Sequence, residues 1–238
     1  MQIVAPFNLP SLTKLQKSKL LDSAQRVLST QHQMTTTKGK NILHYTLKKN
    51  RRHKSMHHYP TGDRIDRKTG AQYFYHCHRE NMDRNEHGHF HCFLRYNHIQ
   101  KRIKPTPLPD WKIYLDNPMT HIICISMDLY GQPIRLFTVN RWVTSEIWYD
   151  AEYAPSFIKR FKMNLTDDPY WQILDQWVES MLHLFSPQIT WLHHQRDAAI
   201  AHHQLLNPDS NIYEDHTIEE LSEISIDLKT QIQWIIDI

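Results

Sequence analysis

Gln72-Tyr73-Phe74-Tyr75-His76-Cys77-His78 and His87-Gly88-His89-Phe90-His91-Cys92-Phe93-Leu94 are the two stretches whose reading decides the fold. Both are aromatic-rich, neither has a helical period, and the second alternates residue by residue. Between them Glu80–Asn85 is a polar run of Asn, Asp and Arg, suited to reversing the chain. The pair therefore reads as two adjacent antiparallel strands. Working outward, residues 53–141 keep the same alternating character and predict a sheet of about five strands. Pro60-Thr61-Gly62-Asp63 and Lys68-Thr69-Gly70 bracket a surface loop. Tyr130-Gly131-Gln132-Pro133 sits between two apolar runs, Ile122–Met127 and Ile134–Val139, as the turn of a further hairpin. Residues 101–118 carry four prolines and predict an irregular crossover.

Helices flank this sheet. Leu12, Leu15, Leu20, Ala24, Val27 and Leu28 predict one over Ser11–Gln33, followed by a loop over Gln33–Asn41. Asp168-Pro169 is a helix start, and the apolar series behind it runs from Trp171 to Phe185. Ser186-Pro187 repeats the start signal for a helix reaching about Leu205. Thr217-Ile218-Glu219-Glu220 reads as a capping box, and Ile218, Leu221, Ile224, Leu228, Ile232 and Ile235 continue it as one helical stripe. The expected class is α+β, with an antiparallel sheet, an N-terminal helix and a C-terminal helical segment. Residues 1–206 form the expected domain, and 207–238 an acidic helical extension.

Composition narrows the function. The 238 residues are 40% hydrophobic and 22% charged, which excludes a wholly disordered chain. Five glycines cannot be arranged as a dinucleotide-binding or nucleoside-triphosphate phosphate loop. No apolar run approaches the ~20 residues that span a bilayer, and three cysteines make no disulfide framework. A soluble, cytoplasmic protein without membrane partners is the expectation. Formal net charge is only +3, but Lys38–Lys54 is basic throughout and the tail beyond Asp209 is acidic. The basic 38–54 segment, with Tyr73, Phe74 and Tyr75 as stacking candidates, supports nucleic-acid or polyanion binding as an alternative function.

The unusual number is 18 histidines. Five of them, His76, His78, His87, His89 and His91, fall within sixteen positions. Alternation puts His76 with His78 on one face, and His87 with His89 and His91 on one face of the next strand. Cross-strand Cβ atoms are about 4.5–5.5 Å apart, close enough for two to four imidazoles to meet one divalent ion at about 2.0–2.1 Å. The expected ligands are His76, His78, His89 and His91, with His58 completing the shell. Glu86 and His87 are the acid–base candidates, and Glu80 is a further carboxylate at hand. Imidazole and carboxylate donors favour zinc or iron.

Cys77 and Cys92 alternate away from this face. A metal store, sensor or structural-metal role is the non-catalytic alternative. For an enzyme, hydrolase or non-haem oxidoreductase chemistry would follow, on an unknown small or anionic substrate held by Arg79, Arg95, Arg135 or Arg141. Asp63 and Asp66 read as turn formers, and the His193–His194 and His202–His203 pairs as surface residues.

The motifs His58-Tyr59-Pro60-x-Gly62-Asp63, Gly70-Ala71-Gln72-Tyr73-Phe74-Tyr75-His76-x-His78-Arg79 and Glu86-His87-Gly88-His89-Phe90-His91 resemble an uncharacterised, histidine-rich bacterial domain family of unknown function. The resemblance continues through Ile125–Phe137 and Asn140–Thr144 to Arg196-Asp197-Ala198, spanning about Leu12 to His203. It implies one domain over most of the chain and carries over no catalytic residue.

Overall fold

A computed structural model describes residues 7–8, 10–38, 40–47, 57–77 and 85–237. The sheet runs β1 (Tyr59–Ile65), β2 (Ala71–Cys77), β3 (Glu86–Arg95), β4 (Met119–Asp128), β5 (Pro133–Val139) and β6 (Glu220–Ser225). Spatial order equals chain order, and every neighbouring pair is antiparallel. The helices are α1 (Lys14–Lys38), α2 (Ile42–Leu47), α3 (Arg141–Thr144), α4 (Ala154–Arg160), α5 (Pro169–Leu184), α6 (Ser186–Leu206) and α7 (Leu228–Asp237). The chain is therefore an α+β protein, with six strands where the sequence predicts about five.

The sixth strand comes from the acidic tail. Residues 217–225, expected as the start of a helix, instead place β6 beside β5, and only α7 realises the helical reading. The stripe spacing misleads because Leu221 and Ile224 pack as a strand, while Ser222 Oγ meets Thr138 Oγ1 and donates to the Leu192 carbonyl. Helix α1 likewise outruns its expected end and covers 33–38. There Thr35 and Thr36 hydroxyls bond back to the Gln31 and His32 carbonyls, which removes their competition with the helix. Asp168 caps α5 as read, accepting from the Tyr170 amide.

One face of the sheet is apolar and covered by helices. Tyr73, Tyr75, Cys77, Phe90, Cys92, Ile123, Ile125, Met127 and Leu136 join the main core with Trp177, Val178 and Leu192 of α5 and α6. Phe90 meets the Trp177 ring at 5.7 Å between centroids. Helix α1 packs on α5 as an outer layer, and α7 packs on α1. An ion-pair group built on the buried Arg64 fastens this side. Arg64 donates to Asp167 and Asp175, and Tyr73 also donates to Asp175. Asp66 accepts from the Lys68 and Thr69 amides and so acts in a turn as expected, whereas Asp63, expected in one, lies within β1 and accepts from the Gln72 side chain.

Candidate metal centre

The opposite face of the sheet is buried too, and it sets polar groups among the apolar side chains of Phe74, Phe93, Phe137 and Val139. His76 stands directly across from His89, and Phe74 from His91. The three imidazoles converge by their Nε2 atoms: His76 to His89 at 2.8 Å and His89 to His91 at 3.0 Å. Four tetrahedral ligands at 2.0–2.1 Å from zinc would stand about 3.3 Å apart, so this spacing lies within about half an ångström of a metal-bound one. All three rings are buried, with His76 and His89 keeping 8% and 7% of their surface in contact with solvent.

Glu86 fixes the central ring. Its Oε1 lies 2.7 Å from His89 Nδ1, while Oε2 accepts from Ser126 Oγ at 2.5 Å and from Arg135 at 3.0 Å. Burial opposes ionisation of this carboxyl, but the bonds from His89 and Ser126 and the Arg135 charge overcome it and hold its pKa at about 2. An ionised carboxylate can only accept, so His89 Nδ1 donates to it, and in the neutral tautomer this leaves the lone pair on Nε2. One imidazole lone pair accepts one hydrogen bond, yet two other Nε2 atoms crowd against it. A cation among the three nitrogens resolves that crowding, and the donors are those divalent transition ions prefer. Burial, reinforced by the neighbouring His89, His121 and His76, pushes the His91 pKa well below its usual value, so this ring is neutral and able to ligate.

A bulge decides which residues reach the site. Between Glu86↔Asp128 and Gly88↔Met127 the ladder skips His87. The extra residue returns Glu86 to the histidine face and removes His87 from it. His87, expected on that face, lies half-buried with Nδ1 2.7 Å from the Tyr75 hydroxyl. Gly88 lets the strands approach here, since a Cβ on it would stand 2.2 Å from the His76 carbonyl oxygen.

The other expected ligands separate. His58 is half-exposed, stacked on Phe74 at 3.5 Å, with Nδ1 against Asp63 at 2.8 Å. It is not among the converging nitrogens of the described residues. His78, Arg79 and Glu80, with Lys48, Lys49, Arg51, Arg52 and Lys54 of the basic 38–54 segment, lie outside the described residues. Tyr73, Phe74 and Tyr75 are buried, so they are not available to stack bases. Arg95, Arg135 and Arg141, expected as anion holders, are already committed: Arg95 to Gln72 and Asn117, Arg135 to Glu86, Glu220 and Glu223, and Arg141 to Asp110 and Glu214. His193, expected at the surface, is buried and bonds the Ile122 carbonyl at 2.7 Å. It lies on the inward side of α6, which the sparse apolar pattern of that helix does not reveal.

Two residues were not foreseen. Cys124 lies across from His91, with Sγ 3.3 Å from its Nδ1 and 3.4 Å from His121 Nε2. A second bulge places His121, for the ladder passes from Cys92↔Ile123 to Phe93↔His121 and skips Ile122. The sequence signal was a histidine beside, and a cysteine within, the largely apolar run Ile122–Met127. His76, His89 and His91 form one converging group, and His91, His121 and Cys124 a second, each with its ligand atoms within 4.8 Å of one another.

No curated protein and no solved structure matches this chain. A family of domains of unknown function, DUF6969, matches residues 21–226, a span that takes in the whole sheet and runs beyond the acidic start of β6. With that match covering most of its length, the chain belongs to the DUF6969 family.

Proposed function

We propose that this protein binds a divalent transition ion, zinc or iron, through the Nε2 atoms of His76, His89 and His91, and that the centre serves a metal-dependent enzyme. The observation that carries the reading is the convergence of three Nε2 atoms on one side of a sheet, with the middle ring oriented by an ionised Glu86. Three protein ligands are the number that catalytic zinc sites use, leaving a position for substrate or water, whereas structural sites close with four. An ion held there would supply Lewis acidity for hydrolysis or hydration, or, as iron, oxygen chemistry. Glu86 holds the His89 proton at Nδ1 and so keeps Nε2 directed inward. Arg135, stacked 4.0 Å over Phe137, anchors Glu86 from the far side.

The test is elemental analysis of untagged protein purified without chelator, beside a His76→Ala/His89→Ala variant. Near-stoichiometric zinc or iron in the parent and none in a folded variant is the expected result. A parent that is empty and takes up no added ion would end this reading, and polyanion binding by the basic 38–54 segment would be tested next. Such binding would weaken steeply with salt.

A further inference from the structure

His91 presents both of its ring nitrogens to ligand groups. Nε2 faces His89 Nε2 at 3.0 Å, while Cys124 Sγ lies beside the ring, 3.3 Å from Nδ1 and 4.0 Å from Nε2, and Cys124 in turn faces His121 Nε2 at 3.4 Å. The remote nitrogen of a metal-binding histidine ordinarily meets a carboxylate, a carbonyl or water. His89 conforms, through Glu86. His91 does not: its remote nitrogen meets a thiol, which is itself in contact with a third potential ligand. Imidazole nitrogen and cysteine sulfur are the donors that zinc and monovalent copper select. Cys124, His91 and His121 are buried, and their walls are apolar. Phe93 stands 5.1 Å from the His121 ring, and Phe137 and Val139 pack with Cys124.

Building on the three-imidazole centre above, we propose that His91 Nδ1, His121 Nε2 and Cys124 Sγ form a second site for a thiophilic ion, zinc or monovalent copper, so that His91 bridges two ions. Binding forms one metal–sulfur and two metal–nitrogen bonds. The Cys124 thiol proton and the His91 Nδ1 proton leave to solvent, and no electron is transferred. The thiolate and the bridging imidazolate offset the second ion's charge in a region where Glu86 is the anion on the first site. The bulge at Ile122 acquires a purpose on this reading, because without it His121 would face the helices.

Metal-free full-length chain titrated with cobalt(II) tests the proposal. Uptake is measured by equilibrium dialysis and sulfur ligation by the near-ultraviolet sulfur-to-cobalt charge-transfer band. The parent is expected to take two equivalents and show the band. Cys124→Ser should take one equivalent without the band, and His76→Ala one equivalent with it. A single equivalent without the band in the parent overturns the second site and leaves the first standing. A band and a single equivalent lost together in both variants also overturns it, since one mixed site would then hold all the metal. Band and uptake that survive in His76→Ala unchanged from the parent, and vanish in Cys124→Ser, would sink the three-imidazole reading while keeping the second site. Should Cys124→Ser not fold, X-ray absorption of the zinc-loaded parent decides: a sulfur scatterer at about 2.3 Å is required, and its absence overturns the proposal.

Discussion

The two faces of the sheet are both buried, yet one is almost wholly apolar and the other mixes apolar side chains with metal-ligand donors. One carries Tyr73, Tyr75, Phe90, Ile123, Ile125 and Leu136 against α5 and α6. The other carries His76, His89, His91, His121, Cys124, Glu86 and Ser126. Apolar surface removed from water stabilises a fold by roughly 25 cal/mol per Å², so the first face holds the molecule together. Burying polar groups costs free energy unless every one is satisfied. The second face therefore gains less from burial, since its stability rests on Phe74, Phe93, Phe137 and Val139 and on how well its polar groups are satisfied. Histidine itself teaches the same difference: His193 serves the apolar side as a hydrogen-bond partner of a strand carbonyl, while His76, His89 and His91 point nitrogens at one another.

The contrast breaks most sharply at Trp177, which fills the helix-covered core with no exposed surface. Trp177→Ala should cost about 3–5 kcal/mol of unfolding free energy, measured by denaturant titration of the metal-free chain. A loss below about 1 kcal/mol would mean the core does not rest on this face. His76→Ala should behave in reverse. If the roughly 10–16 kcal/mol of a four-ligand zinc site is shared evenly, losing one ligand weakens ion affinity by roughly a hundred- to thousandfold. Its unfolding midpoint without metal should move less than that of Trp177→Ala, and the opposite ranking would contradict the division of labour between faces.

Glu86→Gln tests the support of the centre rather than its ligands. Affinity is expected to fall by about 10–100-fold, read by competition with a metal indicator, while stoichiometry stays the same. Unaltered affinity would show that His89 needs no carboxylate to orient it. A smaller effect is expected from pH on the other face. Burial, with Arg196 adding to it, pushes the His193 pKa well below 6.5 in the folded protein. The unfolded chain thus takes up this proton first, so the contribution is complete above pH 6.5 and is lost as pH falls below it. For one group the slope is at most about 1.4 kcal/mol per pH unit. His193→Gln, which can still donate to the Ile122 carbonyl, should flatten that part of the stability–pH curve. A curve of unchanged slope would mean that other groups set the acid sensitivity.

Much of this arrangement was legible in the residues. Alternation puts His89 and His91 on one face of their strand, and pairing with Gln72–Cys77, which the sequence only made possible, brings His76 to the same side. Asp168-Pro169 announced α5 through local capping chemistry alone. The failures cluster where a long-range pairing overrules a local pattern. Residues 220–225 have helical spacing but find an open edge at β5, whose ladder they complete. His87 alternates correctly yet sits in a bulge, and Glu86 takes the place expected of it.

The sequence by itself determined the class of the fold, the strands that carry the histidines and the donor types available to an ion. Those follow from period, composition and turn chemistry, which are local. Only the tertiary structure decided which donors meet. A one-residue bulge turns a side chain through the sheet to its other face, and nothing in the sequence marks His87 or Ile122 as the residue to be skipped. The acidic tail illustrates the same limit, for its carboxylates Glu220 and Glu223 reach Arg135, and through it Glu86, only because β6 joins the sheet beside β5.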